Sequence, residues 1–153
     1  MTINVTAAEK IVLFGDSLMA GYGLNKEDHL STVLESELIK QGYELKVINA
    51  SVSGDTTAGG LNRIDWTLSE QNIGILVCGS GMGMSMAANR HKKIRAAVCY
   101  SVKNTKLSRL HNDANIITLG ARLINRSLAF KCLSIFLKTK FEKGRHLKRV
   151  KKI

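Results

Sequence analysis

The sequence predicts an α/β fold, a three-layer, Rossmann-like or flavodoxin-like domain on a five-stranded parallel sheet. Three observations predict it. Short apolar runs alternate with helix-length segments along the 153 residues, as in βαβ units that cover a sheet on both faces. The run Ile73–Cys78 is apolar throughout, as expected of a strand with both faces buried. It leads into the glycine-rich turn Gly79-Ser80-Gly81-Met82-Gly83, and the Ala- and Met-rich segment that follows suits a helix.

Each element has its own signal. Residues 11–14 are a short apolar strand ending in Gly15-Asp16-Ser17-Leu18, followed by a loop with Gly21 and Gly23. Ser31 is placed to cap a helix to Gln41. Leu34 and Leu38 lie four apart on one face with Ile39 beside them, and Gly42 is the stop. Residues 45–50 are the second strand. A polar loop over 51–57 and a helix over 58–68 lead to the third strand. The fourth strand is expected over 95–100 and a helix over 102–111. The fifth strand is expected over 115–119, closed by Gly120. A helix over 127–138 carries Leu128, Cys132, Ile135 and Phe136, and the basic end over 142–153 reads as helical. No repeat or linker interrupts the pattern, so residues 1–153 are read as a single domain.

Apolar residues make up 44% of the chain and mean hydropathy is -0.02, values of a globular protein. No apolar run approaches the roughly 20 residues of a membrane span, and the N-terminus does not read as a signal peptide. Cys78, Cys99 and Cys132 are an odd, irregularly spaced set. They point to reduced thiols in the cytoplasm, and no Cys/His pairing has zinc-ligand spacing. Charge is unevenly placed. Residues 1–70 hold five basic and ten acidic side chains, and residues 71–153 hold 18 and 2. A step from −5 to +16 suggests a nucleic-acid arm or two segments of different origin. The lack of an aromatic stacking platform weighs against nucleic acid.

In a parallel sheet ligands sit at the carboxyl ends of the strands, where Ser17, Gly54 and Cys78 each follow or end a strand. Cys78 at the mouth of a glycine turn suits a proton-transferring thiolate. The turn's amides suit the negative charge that results. Arg145 and Arg149 lie four apart and so share a helical face, and arginine forks suit phosphate. Cys99 and Cys132 read as core. His29, His91 and His146 read as solvated or locally hydrogen-bonded, and Lys148, Lys151 and Lys152 as a solvated tail.

Two resemblances sharpen this reading. Residues 10–68 resemble the GDSL (SGNH) hydrolases of the thioesterase and arylesterase branch. The resemblance rests on Leu13-Phe14-Gly15-Asp16-Ser17-Leu18-Met19-Ala20-Gly21-Tyr22-Gly23-Leu24, on the block from Val47 through Gly54-Asp55-Thr56-Thr57 to Leu61, and on Arg63-Ile64-Asp65-Trp66. It implies Ser17 as nucleophile and Gly54 as an oxyanion donor. The family's third-block Asn and its C-terminal Asp-x-x-His pair have no counterpart, and a serine without a base is a weak nucleophile.

Residues 71–153 resemble type B ribose-5-phosphate isomerases, through residues 74–85, Ala87-Ala88-Asn89, Ile94-Arg95-Ala96-Ala97, residues 107–115, Leu119-Gly120-Ala121-Arg122 and Phe141-Glu142-Lys143-Gly144-Arg145-His146. This resemblance implies Cys78 as the base moving a proton between C1 and C2. Gly79, Ser80, Gly81, Met82 and Gly83 would hold the enediolate oxygen. His111 would assist ring opening beside Asn112, and Arg145 and Arg149 would grip the phosphate. It further implies a phosphorylated sugar as substrate, no cofactor or metal, and a homodimer with sites completed across the interface. Of the family's Asp-His-Ala-Gly turn only Asp16 has a match, which implies impaired turnover. The resemblances meet at residues 68–72, so the expectation is a chimera of a hydrolase-like segment (1–70) and an isomerase-like segment (71–153).

Overall fold

In the computed structural model, which describes residues 10–67 and 73–153, five strands form one parallel sheet. They are β1 (Lys10–Phe14), β2 (Lys46–Asn49), β3 (Ile73–Cys78), β4 (Ala96–Val98) and β5 (Ile116–Gly120), in the spatial order β2-β1-β3-β5-β4. The expected five-stranded parallel α/β fold is present, with β5 inserted between β3 and β4. The expected join at 68–72 lies outside the described residues, as do residues 1–9, which bear on the expectation about a signal peptide.

The helices are α1 (Ser17–Ala20), α2 (Leu30–Lys40), α3 (Thr57–Thr67), α4 (Met82–Ala88), α5 (Val102–Asn112), α6 (Arg126–Lys138) and α7 (Gly144–Val150). Alternation along the strands assigns side chains to two cores. Ile11, Leu13, Ile73, Ile75, Ile117 and Leu119 join Leu34, Leu38, Cys132, Leu133 and Phe136 on one face. Val12, Phe14, Leu76 and Ile116 join Ile64 and Ala88 on the other. Helices α2 and α6 therefore cover one face, and α3 and α4 the other.

Local chemistry explains where the element ends differ from expectation. The N-cap of α2 is His29, with no side-chain cap, rather than Ser31. Ile39 is 59% exposed, since the buried stripe of α2 is carried by Leu34 and Leu38 alone. The fourth strand is only three residues long. After it Ser101 and Asn104 form a capping box, with Ser101 Oγ accepting the Asn104 N–H at 3.2 Å and Asn104 Oδ1 accepting the Ser101 N–H at 2.9 Å. These bonds turn the chain into α5 before a longer ladder can form. Asn125, whose Oδ1 accepts the Leu128 N–H at 2.9 Å, starts α6 one residue early.

Candidate active site

The carboxyl edge of the sheet holds a crevice of about 340 Å³ lined by Phe14, Gly15, Asp16, Asp55, Thr56, Gly60, Val77, Cys78 and Met84. It lies beside β1 and β3, where chain connections leave in opposite directions, the usual switch-point site of such sheets. A larger apolar groove of about 580 Å³ lies between α2 and α6, lined by residues such as Leu34, Val77, Ile124 and Phe130. Its lining contains no cysteine, whereas the smaller crevice holds Cys78 beside Asp16.

Cys78 is half-buried at the last position of β3. The turn after it is set by backbone. Gly81, at φ 78°, directs its N–H to Cys78 Sγ at 3.1 Å. A side chain would be strained at that φ. The Met82 N–H donates to Ser80 Oγ at 3.3 Å. The turn is bound to the end of β5 by two more bonds, Ala121 N–H to Cys78 O at 2.9 Å and Arg122 N–H to Gly79 O at 3.0 Å. Met82 and Gly83 begin α4, whose other end is tied to β4 by Asn89, bonding both the N–H and the carbonyl of Ala96.

Sequence reasoning singled out Asp16 and Cys78, and the crevice brings them together. It did not single out Asp55, Thr56 and Met84, which complete the wall. Asp55 pairs with Arg63, whose guanidinium also donates to Ala50 O at 3.0 Å and lies 4.8 Å from the Phe14 ring centroid. That arginine therefore neutralises an acid that would repel an anionic ligand.

His111, Asn112, Arg145 and Arg149 lie elsewhere. Helix α5 runs from the carboxyl edge after β4 back to the amino edge before β5, so His111 and Asn112, in its last turn, sit at the opposite edge from Cys78. Strand β5 alone puts about 13 Å between the two edges, at ~3.3 Å per residue. Arg145 and Arg149 are on α7, which packs against α5, and Glu142 N–H donates to Leu110 O at 3.0 Å. Cys78 and these four residues therefore stand at opposite edges of the sheet. Of the two expectations for His146, solvated or locally hydrogen-bonded, the second holds, since Arg145 Nε donates to its Nε2 at 3.4 Å. It is 5% exposed and stacks on His111, with ring centroids 4.2 Å apart. Lost solvation holds its imidazole pKa below the usual value, reinforced by His111 and Arg145 and opposed by Glu142.

The other two thiols are core, as their sequence contexts indicate. Burial pushes the Cys99 thiol up to about 11, against hydrogen bonds from Thr105 and Ser108 that act the other way. A thiol reagent such as dithiobis(nitrobenzoate) at pH 8 is expected to titrate one fast thiol, Cys78, in the folded protein and three after unfolding. Because the folded-state pKa of Cys99 is raised from 9.0, its stability contribution is complete below pH 9. It falls as pH rises through about 11, since only the unfolded chain loses that proton early. Three fast thiols in the folded state would show that this core is not closed.

A parallel sheet with a thiol at a switch point and an amide-lined turn behind it defines a class, α/β proteins whose chemistry is held by loops at the carboxyl edge. Within that class the chain belongs to the Ribose/Galactose Isomerase family, whose model matches residues 29–153. Ribose 5-phosphate isomerase B from Anaplasma phagocytophilum superposes with a TM-score of 0.77 at 36% identity, covering 95% of this chain and 97% of that one. The Thermotoga maritima enzyme of that name gives 0.71 at 34%, covering 94% and 95%. Ribose-5-phosphate isomerase B from Escherichia coli is 44% identical over 84 residues, 55% of this chain and 56% of its own length. Against this relative the alignment spans little more than half of either protein.

The comparisons correct the expected chimera. The family match starts at residue 29, inside the segment assigned to a hydrolase, and runs through residues 68–72 to the end. A relative from Rickettsia conorii is 37% identical over 133 residues, covering 82% of this chain and 92% of its own length. The blocks around Ser17 and Gly54 misled because any parallel α/β sheet puts a polar, glycine-bearing turn after each strand at this same edge. The site agrees. Ser17 begins the four-residue α1, Gly54 is an exposed turn residue at φ 79°, and none of the crevice's lining residues is a histidine that could serve as a base. Ser17 and Gly54 therefore do not belong to a serine-hydrolase site.

Proposed function

We propose that the chain interconverts an aldose phosphate and its ketose, of the ribose 5-phosphate and ribulose 5-phosphate type. The observation that carries this reading is Cys78 at the end of β3, with the Gly81 amide on its sulfur and the 79–83 turn around it. It is supported by membership of a sugar-isomerase family. In the forward direction the Cys78 thiolate takes the proton from C2 of the open-chain aldose. The electron pair moves to the carbonyl, giving an enediolate whose oxygen the turn amides hold. The same thiol returns the proton to C1 as a proton passes from O2 to O1, leaving the ketone at C2 and a hydroxyl at C1.

His111 would catalyse ring opening with Asn112 beside it, and Arg145 and Arg149 would bind the phosphate. These four stand at the wrong edge for the Cys78 of their own chain. Each working site therefore draws Cys78, the 79–83 turn and Asp16 from one copy, and His111, Asn112, Arg145 and Arg149 from a second. With serine at position 17 where the resemblance implies a phosphate-binding histidine, the arginines carry more of the anion, and turnover is reduced accordingly.

Exchange of solvent deuterium into ribose 5-phosphate, followed by NMR, tests the reaction directly. Incorporation at C2 of the aldose and C1 of the ketose is expected. A folded, pure protein that gives no exchange would overturn the reading.

A further inference from the structure

At the amino edge of the sheet three ligating side chains meet. His111 closes α5, His146 lies on α7 and Glu142 precedes α7, and their donor atoms all lie within 4.8 Å of one another. The two rings are stacked 6° from parallel. Both Nε2 atoms lie near the same carboxylate oxygen, Glu142 Oε2, at 3.7 Å from His111 and 3.9 Å from His146. These separations are too long for N–H···O hydrogen bonds. They are close to the spacing of about 3.3–3.6 Å between neighbouring donors in a tetrahedral site with bonds of roughly 2.0–2.2 Å, and the stacked rings must turn out of parallel to aim both nitrogens at one ion. His146 is buried, and its Nε2 accepts from Arg145 Nε at 3.4 Å. That bond puts the lone pair, rather than the proton, on Nε2, directed at Arg145.

We propose that His111, Glu142 and His146 form a three-ligand site for a divalent transition-metal ion of the zinc class, with a fourth position open to water. Two imidazoles and one carboxylate select Zn²⁺, Co²⁺ or Ni²⁺ over Mg²⁺ and Ca²⁺, which require mostly oxygen. Arg145 and Arg149 bring positive charge to His146 and oppose the ion. Arg145 must release Nε2 for it to bind, so the affinity is moderate rather than structural. The isomerisation proposed above needs no metal, and on that reading occupancy withdraws His111 from the substrate. The ion would then act as an inhibitor. The inhibition rests on the isomerase reading, whereas the binding does not.

The test titrates CoCl₂ into the full chain and follows visible absorption, with calorimetry of ZnCl₂ in parallel. One ion per chain is expected, with a spectrum lacking thiolate-to-cobalt charge transfer. Glu142→Gln changes an exposed residue and leaves α7 packed. It should lower affinity at least the roughly 10–100-fold that loss of even an outer-shell partner costs. His146→Gln should do the same, with circular dichroism to show that the helices remain, and Cys78→Ser should leave affinity unchanged. No binding below millimolar metal, affinity unchanged in Glu142→Gln, or affinity lost in Cys78→Ser would each overturn the site. Because the readout is binding, a chain without isomerase activity would leave this test intact.

Discussion

Cys78→Ala and His111→Ala are each expected to abolish most isomerisation, and mixing the two inactive proteins should restore about a quarter of the wild-type rate. Removing a positioned base costs on the order of 10²–10⁴-fold, and Cys78 is the only thiol of the three outside the core. The recovery follows from the proposal that Cys78 of one copy and His111 of another serve one site. Cys78 ends β3 at one edge, while His111 ends α5 at the other. If two copies complete each other, random pairing makes about half of the dimers mixed. A mixed dimer has one site with both groups missing and one with both intact. Refolding the variants together and assaying ribose 5-phosphate turnover checks this. Wild-type activity combined with no recovery would mean that the two residues do not serve one site across an interface.

Much of the fold was legible because it is written in contiguous sequence. A buried parallel strand needs a run such as Ile73–Cys78, and the turn that positions Cys78 follows at once. What was not legible depends on partners far apart in the chain. The stacking of His146 on His111 brings together residues 35 positions apart, and in a basic C-terminal segment nothing local marks one histidine as buried. The separation of Cys78 from His111 was available in principle. A helix between parallel strands must run antiparallel to them, so its last turn lies at the amino edge. Motif matching hides that inference, since it ranks residues by identity and not by edge. The same blindness made the turns after β1 and β2 read as a second protein family. The third strand's glycine turn was seen, but what it rests on was not, because Gly120 lies some 40 residues downstream.

Gly120→Ala is expected to damage both stability and catalysis, although it adds one methyl far along the chain from Cys78. A Cβ at Gly120 would lie 2.6 Å from Ser80 O, 2.7 Å from Ser80 C and 3.1 Å from Ser80 Cα. All three are backbone atoms, so no rotamer change can make room. The contact is reciprocal, for a Cβ on Gly81 would meet Leu119 C at 3.1 Å and Gly120 N at 3.2 Å. Overpacking of this kind costs about 1–3 kcal/mol, read as a lower urea midpoint. The turn must move away from β5, and the Gly81 amide moves with it from Cys78 Sγ. A displacement near 1 Å at a catalytic group costs roughly 10²-fold in rate. Neighbouring glycines provide the contrast. At Gly79 a Cβ would meet only the Arg122 side chain at 3.5 Å or beyond, and at Gly83 it would meet nothing within 4 Å. Gly79→Ala should therefore be close to neutral. Gly83→Ala, within α4, should gain roughly 0.5–1 kcal/mol. Measuring urea stability and turnover for all three separates the causes. If Gly120→Ala keeps full activity while losing stability, the end of β5 supports the sheet but does not position the amides around Cys78. If all three behave alike, backbone contact across the two strands is not what shapes the turn.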